Sequence, residues 1–348
     1  MEKNSKGLAV VIPCYNGKEY IENLLLSLKK GSVQPNKIIL VDNGSTDGTY
    51  VFVKENFPEV ELIFFKGKLG YAKASNIGIK KATEQGYKYI LLLNQDIICK
   101  ENTIEKFLYY AEVYKDFFII FPLILFWPPG ENKIMNAGTL MHFLGFGYSG
   151  SYKLPLSQLK IGKYSYAPGC SLLFNSKKLK KIGLFDEDIV MYHEDSDLSL
   201  RGRFLKEKII FIPEIQVYHL YKEKIDHFRW YWSERNRLFI LFKFYKLPTL
   251  ILMFPFFVFM EIGIIFFSLL GGWLDLKIRT YFDFLRLFKK MLKKRRMIQQ
   301  TRQITDKEFL AYLTPVFNFP EVSSPLIKYI VNPIFGLGYK IIYFFTFW

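Results

Sequence analysis

The sequence predicts an α/β domain over residues 1–220, followed by a helical, basic and aromatic region over residues 221–348. Three observations carry this. Through the first half, short apolar runs alternate with stretches of helical apolar spacing, the pattern of a mostly parallel sheet covered on both faces. Polar residues recur just after the apolar runs, at Tyr15-Asn16, Asp42-Asn43-Gly44 and Asn94-Gln95-Asp96. Ligands of such sheets sit at those C-terminal strand ends. Finally, charge and apolarity shift together along the chain. Residues 1–220 hold 28 Lys+Arg against 23 Asp+Glu, and residues 221–348 hold 20 against 9, so most of the +16 excess lies in the greasier third.

Taken in order, residues 8–13, 37–41, 60–65, 87–93 and 117–121 read as buried strands. Between them, 18–30, 46–56, 71–82 and 102–114 read as amphipathic helices. Residues 122–165, rich in Gly, Pro and aromatics, read as loops with short strands. Helices are expected at 176–182 and 195–205, strands at 209–212 and 216–219, and an aromatic- and arginine-rich helix at 226–244.

Residues 250–273 form an apolar stretch long enough to cross a bilayer, with Pro255 and Glu261 inside it. A carboxylate at mid-membrane costs roughly 2.5–3.5 kcal/mol on insertion scales. A single crossing would also separate the basic segment 277–302 from the N-terminal domain, although basic loops stay cytoplasmic. An in-plane or re-entrant element satisfies both constraints. The expectation is monotopic or peripheral attachment to an anionic membrane surface, with the aromatic tail 327–348 on the same surface. The alternatives are a buried core helix or the interface of a homo-oligomer. Basic and apolar residues together point to a membrane and not to nucleic acid. Cys14, Cys99 and Cys170 are odd in number and far apart, which argues against a disulfide framework or a zinc cluster. The first residues lack the apolar run of a signal peptide, so the N-terminal domain is expected on the cytoplasmic side.

Five blocks carry a family resemblance. They are Val10-Val11-Ile12-Pro13-Cys14-Tyr15-Asn16-Gly17, Val41-Asp42-Asn43-Gly44-Ser45-Thr46-Asp47-Gly48-Thr49, Gly70-Tyr71-Ala72-Lys73-Ala74-Ser75-Asn76-Ile77-Gly78, Leu92-Leu93-Asn94-Gln95-Asp96, and Tyr192-His193-Glu194-Asp195-Ser196-Asp197-Leu198-Ser199-Leu200-Arg201. In this order the chain resembles the family 2 glycosyltransferases of GT-A fold. Asn94, where the family usually has the first Asp of a DxD, resembles the rhamnosyltransferase-like subgroup.

The resemblance implies a Rossmann-like mixed sheet over 1–220. It also implies inverting, metal-dependent transfer of a sugar, rhamnose first, from a nucleoside diphosphate to a hydroxyl of a glycan or lipid-linked glycan. It assigns the nucleotide-sugar site to Pro13, Tyr15, Asn16, Asp42, Lys73, Asn76, Asn94, Gln95, Asp96 and Arg201. Asp96 and His219 would hold Mg²⁺ or Mn²⁺. Asp195 would be the general base, held and oriented by Glu194 and Asp197.

The residue types make chemical sense. A carboxylate at position 42 can accept the N–H groups of a nucleobase, although Asp-Asn-Gly-Ser also suits an Asx-turn or cap. A departing diphosphate needs counter-charge, and a divalent cation needs only one or two carboxylates to stay. Lys73 reads as a diphosphate contact or a solvated helix lysine. Arg201, one turn on from Asp197, can pair with it. Loss of one DxD carboxylate leaves an alternative, a catalytically silent membrane-bound nucleotide-binding scaffold of the same fold. The intact Glu194, Asp195 and Asp197 argue against it. Gly145-Phe146-Gly147-Tyr148-Ser149-Gly150 matches a dinucleotide fingerprint but opens no helix, and Asp186-Glu187-Asp188 reads as a turn.

Overall fold

The apolar runs pair into one sheet of order β3-β2-β1-β4-β10-β6-β11-β5, with β7 added beside β6. In the computed structural model, which describes residues 6–220, 227–318 and 325–348, the strands are β1 (Lys6–Cys14), β2 (Lys37–Asp42), β3 (Glu61–Phe64), β4 (Tyr87–Leu93), β5 (Ile97–Cys99), β6 (Phe117–Phe126), β7 (Ile134–Asn136), β8 (Thr139–Met141), β9 (Gly147–Ser149), β10 (Ser171–Asn175) and β11 (Lys208–His219). The helices are α1 (Lys18–Lys29), α2 (Thr49–Asn56), α3 (Tyr71–Glu84), α4 (Thr103–Val113), α5 (Ser176–Ile182), α6 (Glu194–Phe204), α7 (His227–Phe244), α8 (Leu247–Leu270), α9 (Leu274–Thr301), α10 (Asp306–Leu310) and α11 (Asn332–Phe345). Residues 1–5, where a signal peptide would begin, and Asp226 lie outside the described residues.

β3, β2, β1 and β4 are parallel, which brings the ends of β1, β2 and β4 to one edge. Side chains alternate across β1: Leu8, Val10 and Ile12 join one core with Leu24, Leu28 and Phe107, while Ala9 and Val11 join another with Ala72, Ala74 and Ile79. Sequence reading missed β10, which runs antiparallel between β4 and β6 and makes the sheet mixed. The two short strands expected at 209–212 and 216–219 are one strand, β11. Its pairing with β6 shifts register between Ile212 and Gln216, around Pro213, which has no N–H to give the ladder. Gly147–Ser149 of the glycine-rich decoy is strand β9 in a hairpin with β8.

The C-terminal region does not stand apart from the sheet domain. One hydrophobic cluster joins Met141, Phe143, Leu144, Leu200 and Phe204 to Ile240, Phe244, Met253, Phe335 and Ile342. Glu261 is spared apolar surroundings because α8 turns it inward. Its carboxylate pairs with Arg237 and with Lys277 (2.8 Å) and accepts the Tyr281 hydroxyl. Arg237 and Lys277 also bind Glu234 at 2.9 and 2.6 Å, so two acids and two bases balance inside the helical region. Much of the remaining surface of α8 is bare: Ile251, Phe254, Val258, Ile262 and Phe266 are exposed. Only 17% of its most apolar window is buried, so α8 is not a core helix.

Candidate active site

The loops that leave β1, β2 and β3 are stitched together. Asn16 takes a left-handed conformation (φ 47°); its N–H donates to Ser45 Oγ (2.9 Å) and its Oδ1 accepts from Thr46 N–H (2.8 Å). Asn43 Oδ1 accepts from Leu69 N–H (2.6 Å). Pro13 is buried at the end of β1. Tyr15 is held by Gln95, whose Oε1 accepts its N–H (2.8 Å) and whose Nε2 donates to its carbonyl (3.2 Å), and Lys68 lies over its ring. Gln95 therefore acts through Tyr15.

Asp42 is fully buried. Oδ1 accepts from Ser45 N–H (2.7 Å), the expected turn, while Oδ2 has no hydrogen-bond partner among the described residues. A buried carboxylate oxygen without a donor is costly, and a nucleobase N–H would satisfy it.

Asp96 and His219, 123 positions apart by their numbers, come together: His219 Nε2 lies 3.0 Å from Asp96 Oδ1. The junction is fixed by Leu220 N–H donating to the Asp96 carbonyl (2.9 Å) and by β11 pairing antiparallel with β5. Among the described residues no group of three His, Cys, Asp or Glu could hold a metal. One carboxylate and one imidazole still fit a cation whose remaining ligands are diphosphate oxygens and water.

Asp195 begins α6, half-buried. Its two oxygens accept from Gly169 N–H (2.9 Å) and Ser196 N–H (2.7 Å). The approach is close: a Cβ on Gly169 would lie 3.1 Å from Asp195 Cβ. Burial pushes the Asp195 carboxyl up to about 6, and burial together with Asp195 pushes neighbouring Glu194 up to about 8. Glu194 Oε2 has no hydrogen-bond partner among the described residues. Tyr71 ties this corner to the donor side, its hydroxyl donating to Asn94 Oδ1 (2.9 Å) and lying 3.1 Å from the Gly169 carbonyl. Burial first, and then nearby Glu194, Cys170 and Asp195, hold the Tyr71 phenol well above its usual range, so it stays a donor. Tyr166 is likewise raised by burial, then by Asp195 and Glu194. Sequence reading listed neither tyrosine as a site residue.

Four expectations need correction. Asp197 does not orient Asp195: it is fully buried and pairs with Arg201 Nε (2.9 Å) and with Lys243 from α7. Among the described residues Glu194 makes no hydrogen bond to Asp195 either; backbone amides hold the Asp195 carboxylate. Arg201 is taken up within the protein, Nη1 and Nη2 donating to the Ile182 and Leu184 carbonyls (2.9 and 2.6 Å). Asn76 clamps the turn at 185–187: its Nδ2 donates to Phe185 O (2.9 Å) and Glu187 Oε1 (3.1 Å), and its Oδ1 accepts Phe185 N–H (3.0 Å). Lys73 is exposed. The Asp186-Glu187-Asp188 turn is an ion-pair anchor, with Asp186 on Lys243 (2.7 Å) and Lys294, and Asp188 on Lys290 (2.6 Å) and Lys294.

Comparison with known proteins adds four findings. A model described as glycosyl transferase family 2 matches residues 9–183, half of the chain. The N-acetylglucosaminyl-diphospho-decaprenol L-rhamnosyltransferase of Mycobacterium tuberculosis is 24% identical over 233 residues, spanning 61% of this chain and 75% of that protein. The poly-beta-1,6-N-acetyl-D-glucosamine synthase of Staphylococcus epidermidis is 27% identical over 237 residues, spanning 67% of this chain but only 53% of the synthase. Among solved structures, GalNAc-T7 crystallised with UDP, GalNAc and Mn²⁺ superposes with a TM-score of 0.55 at 15% identity, covering 71% of this chain and 49% of that one, a likeness of fold.

Proposed function

The chain belongs to glycosyl transferase family 2 and is a nucleotide-sugar glycosyltransferase, and from that membership we propose that it inverts the anomeric carbon, uses a divalent metal and works at an anionic membrane surface. Asp195 takes the proton of the acceptor hydroxyl as that oxygen attacks the anomeric carbon. The nucleoside diphosphate departs from the opposite face with the electrons of the broken bond. One observation supports this best: a carboxylate pinned by two backbone amides, with its pKa raised to about 6, is joined through Tyr71 and Asn94 to the strand end that carries Asp96 and His219. Asp96 and His219 would hold a divalent cation, which when bound would supply counter-charge for the departing diphosphate. Asp42, with one buried oxygen lacking a donor, would receive the base of the nucleotide.

The donor sugar to try first is rhamnose, on the name of the mycobacterial relative, with N-acetylglucosamine second on that of the synthase, each as its nucleoside diphosphate. The acceptor is a glycan or lipid-linked glycan. The test is the configuration of the new linkage, read by NMR from the product of an α- or β-configured donor. Inversion is the expected outcome, and retention would remove Asp195 from the role of base.

Membrane attachment is supported by the bare faces of α8 and α11, the latter exposing Ile334, Leu337, Ile341 and Phe344. Of the basic residues on α9, Lys290 and Lys294 are bound to Asp188 and Asp186. Arg286, Lys289, Lys293 and Arg296 are exposed at helical spacing and remain to face headgroups. Each is worth about 1 kcal/mol near an anionic surface. Changing these four to Gln should make liposome co-sedimentation independent of the anionic lipid fraction. Undiminished dependence on that fraction would contradict the electrostatic part of the attachment.

A further inference from the structure

The segment leading into α6 holds an unfavourable backbone shape. Val190, Tyr192 and His193 have φ of 59°, 60° and 69°. For a β-branched or bulky residue this region is a true outlier, and it persists only where the surroundings over-determine it.

The determinant comes from the C-terminal helices. Asn236, in the middle of α7, is fully buried. Its Nδ2 lies 2.8 Å from each of the carbonyl oxygens of Ile189, Met191 and Tyr192. Its Oδ1 accepts from Arg235 Nε (3.0 Å) and Nη2 (2.8 Å), which fixes which way the amide faces. Arg235 also donates to the Asp188 carbonyl and lies over the Trp232 ring. On the other side Ala72 N–H donates to the Val190 carbonyl (3.0 Å), and a Cβ on Gly70 would lie 2.6 Å from Val190 Cγ1. The segment is thus gripped between the start of α3 and the middle of α7, and it delivers Glu194 and Asp195.

Packing alone does not require this arrangement. A helix that merely covered the domain would present apolar atoms, whereas here the two N–H donors of one amide face three main-chain carbonyls. We propose that Asn236 is a positioning residue for the transfer: its side-chain amide fixes the segment 190–193, left-handed at Val190, Tyr192 and His193, and so sets the reach of Asp195 toward the acceptor hydroxyl. The proposal rests on Asp195 being the base. It makes the C-terminal region part of the catalytic scaffold as well as a means of attachment.

The test uses the full chain. In folded Asn236→Ala, kcat should fall by up to about 100-fold, the loss a misplacement of about 1 Å can cause, while donor affinity by calorimetry and the KM for donor stay unchanged. Adding Val190→Gly should recover part of the lost kcat, since glycine adopts positive φ without strain and needs the clamp less. A purely structural role would lower the melting temperature and give no such rescue. If Asn236→Ala does not fold, Arg235→Gln, which drops the tether to Asp188, should show the same split between kcat and KM in smaller measure. Asp195→Asn run in the same series separates the two ideas. Full turnover by Asp195→Asn defeats the base assignment. An inactive Asp195→Asn beside a folded Asn236→Ala (or, failing that, Arg235→Gln) of wild-type kcat defeats the clamp alone.

Discussion

Replacing Asp195 by Asn is expected to lower kcat by about 10²–10⁴-fold, the contribution of a positioned general base, with affinity for the nucleotide sugar unchanged. Asn keeps the shape of the side chain and can still accept one of the two amide hydrogen bonds from Gly169 and Ser196, so loss of the fold is not the expected cause. The effect belongs to kcat because the base acts only as the hydroxyl attacks. The pH profile carries the same claim. Asp195 must be ionised to accept a proton, so wild-type kcat should rise as pH increases through about 6. Glu194 is also pushed up, by burial and by neighbouring Asp195. The two carboxyls titrate as a pair, and the profile reports the pair. In Asp195→Asn the rise near pH 6 should vanish. Full turnover in that variant, or an unaltered acid limb, would transfer the role to another group.

The second large effect is expected at Asp96. Its carboxylate and the His219 imidazole are the two side chains that converge at the end of the sheet where the diphosphate is proposed to lie. Asp96→Ala should remove the tightening of nucleoside diphosphate binding by Mg²⁺ or Mn²⁺. It should also cost on the order of 10³-fold in kcat, several kcal/mol of charge stabilisation being at stake. His219→Ala should act in the same direction and more weakly, because a neutral ligand brings less charge. Asn94→Asp makes a complementary variant, restoring the carboxylate of the usual DxD. A variant at Asp96 that still shows metal-dependent binding would mean that the cation, if used, is held elsewhere.

Much of this site is legible in the sequence because its residue types sit at strand ends and helix starts. Asp42, Asp96 and Asp195 each follow an apolar run or open a helix, and the structure brings Asp96 to His219 across 123 positions. Local pattern failed where partners are distant. Asn76 looks like a donor contact within its block, yet its amide is taken by residues 109 and 111 positions away. Arg201 is correctly paired with Asp197 at helical spacing, but its remaining donors meet carbonyls of a preceding turn. Periodicity missed β10 because Ser171–Asn175 is short and follows a Gly-Cys turn, and it split β11 at Pro213.

The C-terminal helices were read by composition, and composition conceals direction. The carboxylate of Glu261 argued against crossing a membrane, and it is neutralised by Arg237 and Lys277 on the inner face of α8. Within the basic segment 277–302, Lys290 and Lys294 are bound to the acidic turn before α6. A run of like charge does not say which of its members meet solvent. Nothing in the spacing of α7 marks Asn236, because its partners are backbone carbonyls and leave no trace in the sequence.

The central claim is that the sheet edge holding Asp42, Asp96 and His219 takes a nucleoside diphosphate sugar in a metal-dependent way. Its most direct test is calorimetric titration of the full chain with a panel of nucleoside diphosphates and their sugars, with and without Mn²⁺ or Mg²⁺. The account predicts saturable binding of one nucleoside diphosphate, tightened by metal in the wild type and not in Asp96→Ala. Folded protein that binds none of the panel would contradict it, and would favour a silent scaffold whose function lies in the helical region.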